Sequence, residues 1–166
     1  MASRRPQDCS YSIRPGRADD GADLLRVHRD AILRLGTAAY SVAETESWCA
    51  DLVAEGYGRA MADEGEIFLV AVDATDRVVG FCSHRDDEIM ALYVHPDWTR
   101  RGIASDLLRR AEAAIEKEGH EAVRLDAALV ARSFYERHGY RVVESKDWQS
   151  RGGLVIEVLF MTKPLA

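Results

Sequence analysis

The segment from Gly102 to Glu118 carries the strongest helical signal in the chain, and it follows a series of extended segments with almost no linker. Ile103, Leu107, Leu108, Ala111, Ala114 and Ile115 recur at three- and four-residue spacing. Asp106, Arg109, Glu112 and Glu116 fall on the opposite face, and Gly119 stops the helix. An apolar stripe of this kind needs a surface to cover it, and the preceding segments supply one. From Glu66 the period turns extended. Ile67 to Val72 reads as a buried strand, Asp73 to Asp76 as a turn, and Arg77 to Ser83 as the hairpin partner. Glu88 to Val94 follows as another strand and ends at His95-Pro96, because proline cannot continue a ladder.

The flanking segments complete the pattern. Tyr11 to Arg14 is a short strand, and Pro15-Gly16 closes it before Asp19 or Asp20 caps a helix running to about Leu35. That helix has Leu24, Leu25, His28, Ile32 and Leu35 on its apolar face. A second, weaker helix spans Val42 to Val53 and is broken by Gly56 and Gly58. After the long helix come a strand at Ala122 to Leu125, a short helix at Val130 to His138, and strands at Tyr140 to Glu144 and Leu154 to Met161. The order β-α-α-β-β-β-α-β-α-β-β predicts an α/β (α+β) fold, a mixed sheet of about seven strands with helices on both faces. A chain of 166 residues, 47% hydrophobic and without an internal repeat, is expected to form a single domain over 1–166, with 1–9 a flexible N-terminus.

Charge narrows the partners. The net charge of -6 comes from 28 acidic and 22 basic residues that form no basic stripe, so neither nucleic acid nor a membrane is expected as a partner. The N-terminal arginines precede no apolar run, and no membrane span is expected. Cys9, Cys49 and Cys82 are odd in number and far apart, which suits a reducing cytoplasm and neither a disulfide framework nor a paired-cysteine zinc site. His28, His95, His120 and His138 lie on separate elements without ligand spacing, so no metal is expected.

Positive charge does gather at Arg100-Arg101, beside Gly102 and at the start of the long helix. Helix-start amides and the positive end of the helix dipole favour an anion, and a glycine lets the anion approach the backbone. The small Ala104 keeps a second approach open. The junction lacks the Gly-Lys-Ser/Thr ending of a Walker loop and two of the three glycines of a dinucleotide fingerprint. Taken alone, the same residues also fit a tight turn with solvated arginines.

Three segments together carry a resemblance. Thr99-Arg100-Arg101-Gly102-Ile103-Ala104 is similar to the Gln/Arg-x-x-Gly-x-Gly/Ala signature of the GNAT superfamily of coenzyme A-dependent N-acyltransferases. Upstream, Ile89-Met90-Ala91-Leu92-Tyr93-Val94-His95-Pro96 resembles the strand before that signature. Downstream, Ala131 to Tyr140 resembles the family's Ala-x-x-Phe-Tyr-x-x-x-Gly-Phe segment. The likeness is strongest over 66–143. Thr99 and Ala128 depart from the family pattern, which has Gln or Arg and often Asn at those places.

The resemblance implies a GNAT-like, mostly antiparallel twisted sheet, and acetyl transfer from acetyl-CoA to a primary amine by direct attack in a ternary complex. It also implies that Arg100, Arg101, Gly102, Ile103, Ala104 and Ser105 hold the diphosphate of acetyl-CoA. Leu92, Tyr93 and Val94 would pair with pantetheine, and an amide near Val94 would polarise the thioester. Tyr135 occupies the place of the acid that protonates the departing thiolate; it also reads as a core aromatic beside Phe134. Glu88, close to His84, Asp86 and Asp87, is the candidate base for the amine, and the same residues fit a polar hairpin turn. Tyr40, Trp48, Tyr57, Trp148 and Arg151 fall in segments that set acceptor specificity in the family, or serve as core anchors. A non-catalytic acyl-CoA-binding or sensing module of the same fold is the alternative function, and a homodimer is left open.

Overall fold

A computed structural model describes residues 10–166; the expectation for 1–9, and for Cys9 within it, lies outside the described residues. Seven strands form one sheet: β1 (Ser12–Pro15), β2 (Ile67–Val72), β3 (Val78–Arg85), β4 (Glu88–Val94), β5 (Ala122–Ala128), β6 (Arg141–Gln149) and β7 (Val155–Pro164). Their spatial order is β1-β2-β3-β4-β5-β7-β6. Every neighbouring pair is antiparallel except β4 with β5. Among the described residues five α-helices accompany it: α1 (Gly21–Leu35), α2 (Val42–Cys49), α3 (Ala54–Asp63), α4 (Ile103–Lys117) and α5 (Arg132–Arg137). The mixed, mostly antiparallel sheet with helices on both faces is the architecture expected from the sequence.

Each face of the sheet closes a core. On one side Leu107, Leu108, Ala111 and Ile115 of α4 pack on Val79, Cys82, Val123 and Leu125. On the other, Leu24 and Val27 of α1 and Tyr57 of α3 pack on Val70, Phe81 and Phe68. Strand β3 runs between the two and is buried along nearly its whole length. Burial on both faces explains why its sequence reads as a continuous apolar run instead of alternating.

Four details differ from the sequence reading. Residues 54–63 are helical through Gly56 and Gly58, because Tyr57, Ala60 and Met61 give α3 an apolar face that packs against the second core and outweighs the glycines' intrinsic cost. Asp20 sits at the start of α1 but its side chain does not cap it. The carboxylate instead accepts the Arg17 main-chain N–H at 2.8 Å and two guanidinium bonds from Arg14 at 2.8 and 2.9 Å. Strand β6 continues past Glu144 to Gln149, since an edge strand with one solvated face tolerates Ser145, Lys146 and Asp147.

Glu112 is the fourth difference, being buried where the helix pattern put it on the solvated face. Its carboxylate accepts the Tyr140 hydroxyl and the Lys163 ammonium, each at 2.8 Å, and so ties α4 to the ends of β6 and β7. Removing one member of a buried charge network strands the other. Glu112→Ala is therefore expected to cost about 3 kcal/mol, visible as a fall in chemical-denaturation midpoint with unchanged slope.

Candidate active site

Strands β4 and β5 pair over only two rungs, Glu88 with Arg124 and Ile89 with Leu125, and then part. A cleft of about 590 Å³ opens where they separate. Its walls include Leu92, Tyr93 and Val94 on one side, Ala127 and Ala128 on the other, and Arg100 with Ala104 at one end. A parallel pair that diverges leaves main-chain donors on its inner edges without partners. The His95 N–H reaches back to Val79 O at 2.8 Å, so the pleat turns the Val94 N–H the other way, toward the gap. An extended ligand can pair there as an added strand.

The cleft ends at the turn that begins α4. Gly102 has φ +81°, a left-handed conformation that a side chain resists, and a Cβ built there would meet only the Tyr11 hydroxyl, at 4.0 Å. Among the described residues, the main-chain N–H groups from Arg100 to Ser105 donate to no other group; the first closed bond of the helix runs from Asp106 N to Gly102 O at 3.0 Å. These free amides, the dipole of the fifteen-residue helix and open space over Gly102 form a cradle for an anion. The residues here differ in what they offer. Arg100, at φ +62°, lines the cleft. The Arg101 guanidinium stacks over Trp98 at 4.4 Å and donates to Asp97 O, leaving its Nη1 buried without an acceptor. Ile103 is a core side chain with only its amide available.

Ser105 and His138 hold the mouth together. The Phe134 carbonyl can only accept, so His138 Nδ1 carries the proton that bonds it at 2.8 Å, and Nε2 accepts from Ser105 Oγ at 3.0 Å. This fixes α5 against the start of α4. Tyr135 on α5 lines the cleft at 7% exposure, its ring packed against Phe134 and Tyr140. Its hydroxyl bonds no other group among the described residues, and burial raises its pKa, so it carries its proton at neutral pH.

A second cavity, of about 360 Å³, lies on the α1 and α3 face of the sheet. Met90 and Ala91 line both cavities, so they meet across β4. The junction is a β-bulge: Ser83 pairs with Ala91 and His84 with Ile89, which leaves Met90 as the extra residue. Glu66 lines the second cavity, and Ser83 Oγ donates to its carboxylate; burial raises the pKa of this acid. His28 and Tyr57 share a 2.9 Å hydrogen bond on the same wall, and burial drives the His28 pKa down to about 3, so the ring is neutral.

The structure disperses the basic group drawn from the sequence. Glu88 pairs with Arg124 at 3.4 Å, Asp87 pairs with the same guanidinium at 3.0 Å, and neither lines either cavity. His84 is 1% exposed, and neither of its ring nitrogens bonds Glu88 or any other group among the described residues. Glu66 was missed because no local spacing links the first residue before β2 to a cavity built by α1, α3 and a distant hairpin.

The aromatics divide between packing and lining. The Tyr40 hydroxyl donates to Glu157 O at 2.7 Å and accepts from Leu129 N at 2.9 Å, which makes it an anchor at the cleft wall. Trp48 lines the cleft and rests on Trp148 at 5.2 Å, whereas Tyr57 and Arg151 line the second cavity. Cys49 and Cys82 are buried free thiols. Among the described residues no helix is long and apolar enough to cross a membrane, and no group of three potential ligands is placed to hold a metal.

Comparison with known proteins gives consistent findings. A family model described as an acetyltransferase (GNAT) domain matches residues 36–158. The chain is 27% identical over 155 residues to YafP, an uncharacterised N-acetyltransferase of Escherichia coli (strain K12), covering 93% of this chain and 97% of that protein. Among solved structures, it is similar to a GCN5-related N-acetyltransferase from Rhodopseudomonas palustris, with TM-score 0.85 and 26% identity over 93% of this chain and 96% of the other. It also resembles the PaiA N-acetyltransferase of Thermoplasma acidophilum, solved in complex with coenzyme A, with TM-score 0.73 and 26% identity over 93% and 99% of the two chains.

Proposed function

We propose that this chain, which belongs to the GNAT acetyltransferase family, moves the acetyl group of acetyl-CoA onto a primary amine by direct attack, with both substrates bound at once. Acetyl-CoA is the co-substrate. The observation that carries the reading is the conjunction of a turn of unpaired amides with a cleft between diverging strands that meets a second cavity at the Met90 bulge. The turn takes the diphosphate, the free edge of β4 takes the pantetheine arm, and the thioester then lies near the bulge, open to an amine from the other face.

The residues divide the chemistry. An amine arrives mostly protonated at neutral pH, so a base must take one proton before attack. Of the three carboxylates that line the acceptor cavity, Asp51 and Glu64 are exposed and Glu66 is half-buried, and its raised pKa makes it a better base than an exposed carboxylate. As nitrogen bonds the acetyl carbon, the Val94 N–H stabilises charge developing on the carbonyl oxygen. When the C–S bond breaks, the electron pair leaves on sulfur and Tyr135 gives it a proton. The second nitrogen proton restores the phenol through the cleft, and one proton is released to water overall.

Two measurements test this. Thiol release from acetyl-CoA across a panel of amines tests the activity; acetyl-CoA binding with no turnover on any amine would leave a sensing module. For the base, the sign is fixed: only ionised Glu66 takes a proton, so the rate falls as pH drops through a pKa above the ordinary glutamate value. Glu66→Gln keeps an acceptor for Ser83 but is expected to lower kcat/KM for the amine about 100-fold at neutral pH and to flatten that limb. A limb that persists in the variant moves the base elsewhere.

A further inference from the structure

The acceptor cavity is lined by opposite charges that form no ion pair with each other. Glu66 stands at the start of β2, and Arg151 reaches in from the tip of the β6–β7 hairpin. Arg151 is near enough to favour ionised Glu66, yet the two form no salt bridge, and Arg151 pairs with no carboxylate among the described residues. Arg59 on α3 lines the same cavity and is likewise unpaired. The other charged groups on the walls are Asp51, exposed, and Glu64, which approaches Arg85 at 4.0 Å.

The hairpin tip that carries Arg151 is held by a built contact. Ser47 of α2 bonds the hairpin tip through Ser150 Oγ at 2.6 Å, Leu154 N at 3.2 Å and Gly152 N, which reaches Ser47 O at 2.8 Å. A Cβ at Gly152 would lie 2.5 Å from Ser47 Oγ and 2.8 Å from its Cα, so this seat admits only glycine without moving the tip. The residue before that glycine is the cavity's arginine. A docked tip is pre-organised and loses little freedom when it binds a ligand.

We propose that the acceptor is a small amine that also bears an acidic group, an α-amino acid or a close analogue. Its ammonium meets Glu66, and its carboxylate meets Arg151 with Arg59 beside it. Guanidinium suits this task, since its planar fork pairs a carboxylate through two bonds. The volume of about 360 Å³ fits a molecule of that size. Opposed charges that form no pair with each other favour a ligand that spans both, whereas a simple amine would reach Glu66 and gain nothing from the exposed guanidiniums of Arg151 and Arg59. This assignment rests on the acetyl-transfer reading for which cavity holds the amine, but its test does not need turnover.

Protein saturated with coenzyme A is titrated calorimetrically with a panel of α-amino acids and, for each, the amine of the same side chain lacking the carboxylate. At least one amino acid is expected to bind about 100-fold more tightly than its counterpart amine. Arg151→Gln is expected to cut that preference to about threefold, with a coenzyme A titration reporting that the donor site is intact. Equal binding of acid and amine, tighter binding of the amine, binding of neither set, or a preference untouched by Arg151→Gln overturns the proposal. Amino acids that bind with this preference but release no thiol from acetyl-CoA would leave the cavity assignment standing and remove the catalytic reading instead.

Discussion

Glutamate in place of Gly102 is expected to raise the dissociation constant for acetyl-CoA at least about 100-fold, equivalent to roughly 2.7 kcal/mol. Two effects act together. The side chain projects into the open space over the turn, where a Cβ meets nothing closer than 4.0 Å, so it takes the volume a phosphate would use. Its charge then opposes the diphosphate; like charges about 4 Å apart near a protein surface repel by about 4 kcal/mol. The fold should survive. Gly102 precedes α4, the buried stripe from Ile103 to Ile115 is unchanged, and the left-handed conformation at φ +81° costs a non-glycine residue only about 1–2 kcal/mol. Gly102→Ala separates the contributions, because it bears the same backbone strain without bulk or charge. Calorimetry on both variants beside a thermal melt decides the matter. Binding by Gly102→Glu within about threefold of the parent chain would mean that the amides of this turn do not hold the diphosphate.

That turn was legible in the sequence because its causes are local. Gly102, the arginines before it and the apolar stripe after it lie within one strand-to-helix junction, and the free amides follow from the helix start itself. The strands around it could be read for the same reason, since strand period and turn residues are short-range signals. The α3 helix could not be read, because two glycines argue against it locally and only burial of Tyr57 against Phe68 and Phe81 argues for it. Glu112 misled in the same way: its helix position looks solvated until Tyr140 and Lys163 arrive from elements that follow it.

The acceptor side depends more heavily on long-range pairing. The Met90 bulge arises from the register between β3 and β4, and no residue type marks it in advance. Arg151 reaches the cavity only because Gly152 docks on Ser47, a contact across about a hundred positions of chain. Glu88 drew attention as an acid near the junction, yet parallel pairing set Arg124 opposite it and neutralised it. Nearness in sequence revealed the turn of free amides, which one junction builds, and not the second cavity, which several distant elements build.

Tyr135→Phe is expected to lower kcat by about 100-fold or more while the dissociation constant for acetyl-CoA stays within about twofold. The substitution isolates one proton. The ring keeps its contacts with Phe134 and Tyr140, and since the hydroxyl bonds no other group among the described residues, its loss strands no buried partner. Burial pushes the phenol above its ordinary value near about 10, whereas a free thiol titrates near about 8.5. The same desolvation penalises the departing thiolate, so in the cleft one buried anion replaces another and the transfer is less uphill than solution values suggest. A donor to the leaving group matters most when that group is a poor one. The variant's rate should therefore rise more steeply than the parent chain's as acetyl thioesters of increasingly acidic thiols replace acetyl-CoA, and the gap between them should close. An undiminished rate with acetyl-CoA, or a gap that stays constant across the thiol series, would assign Tyr135 to packing alone.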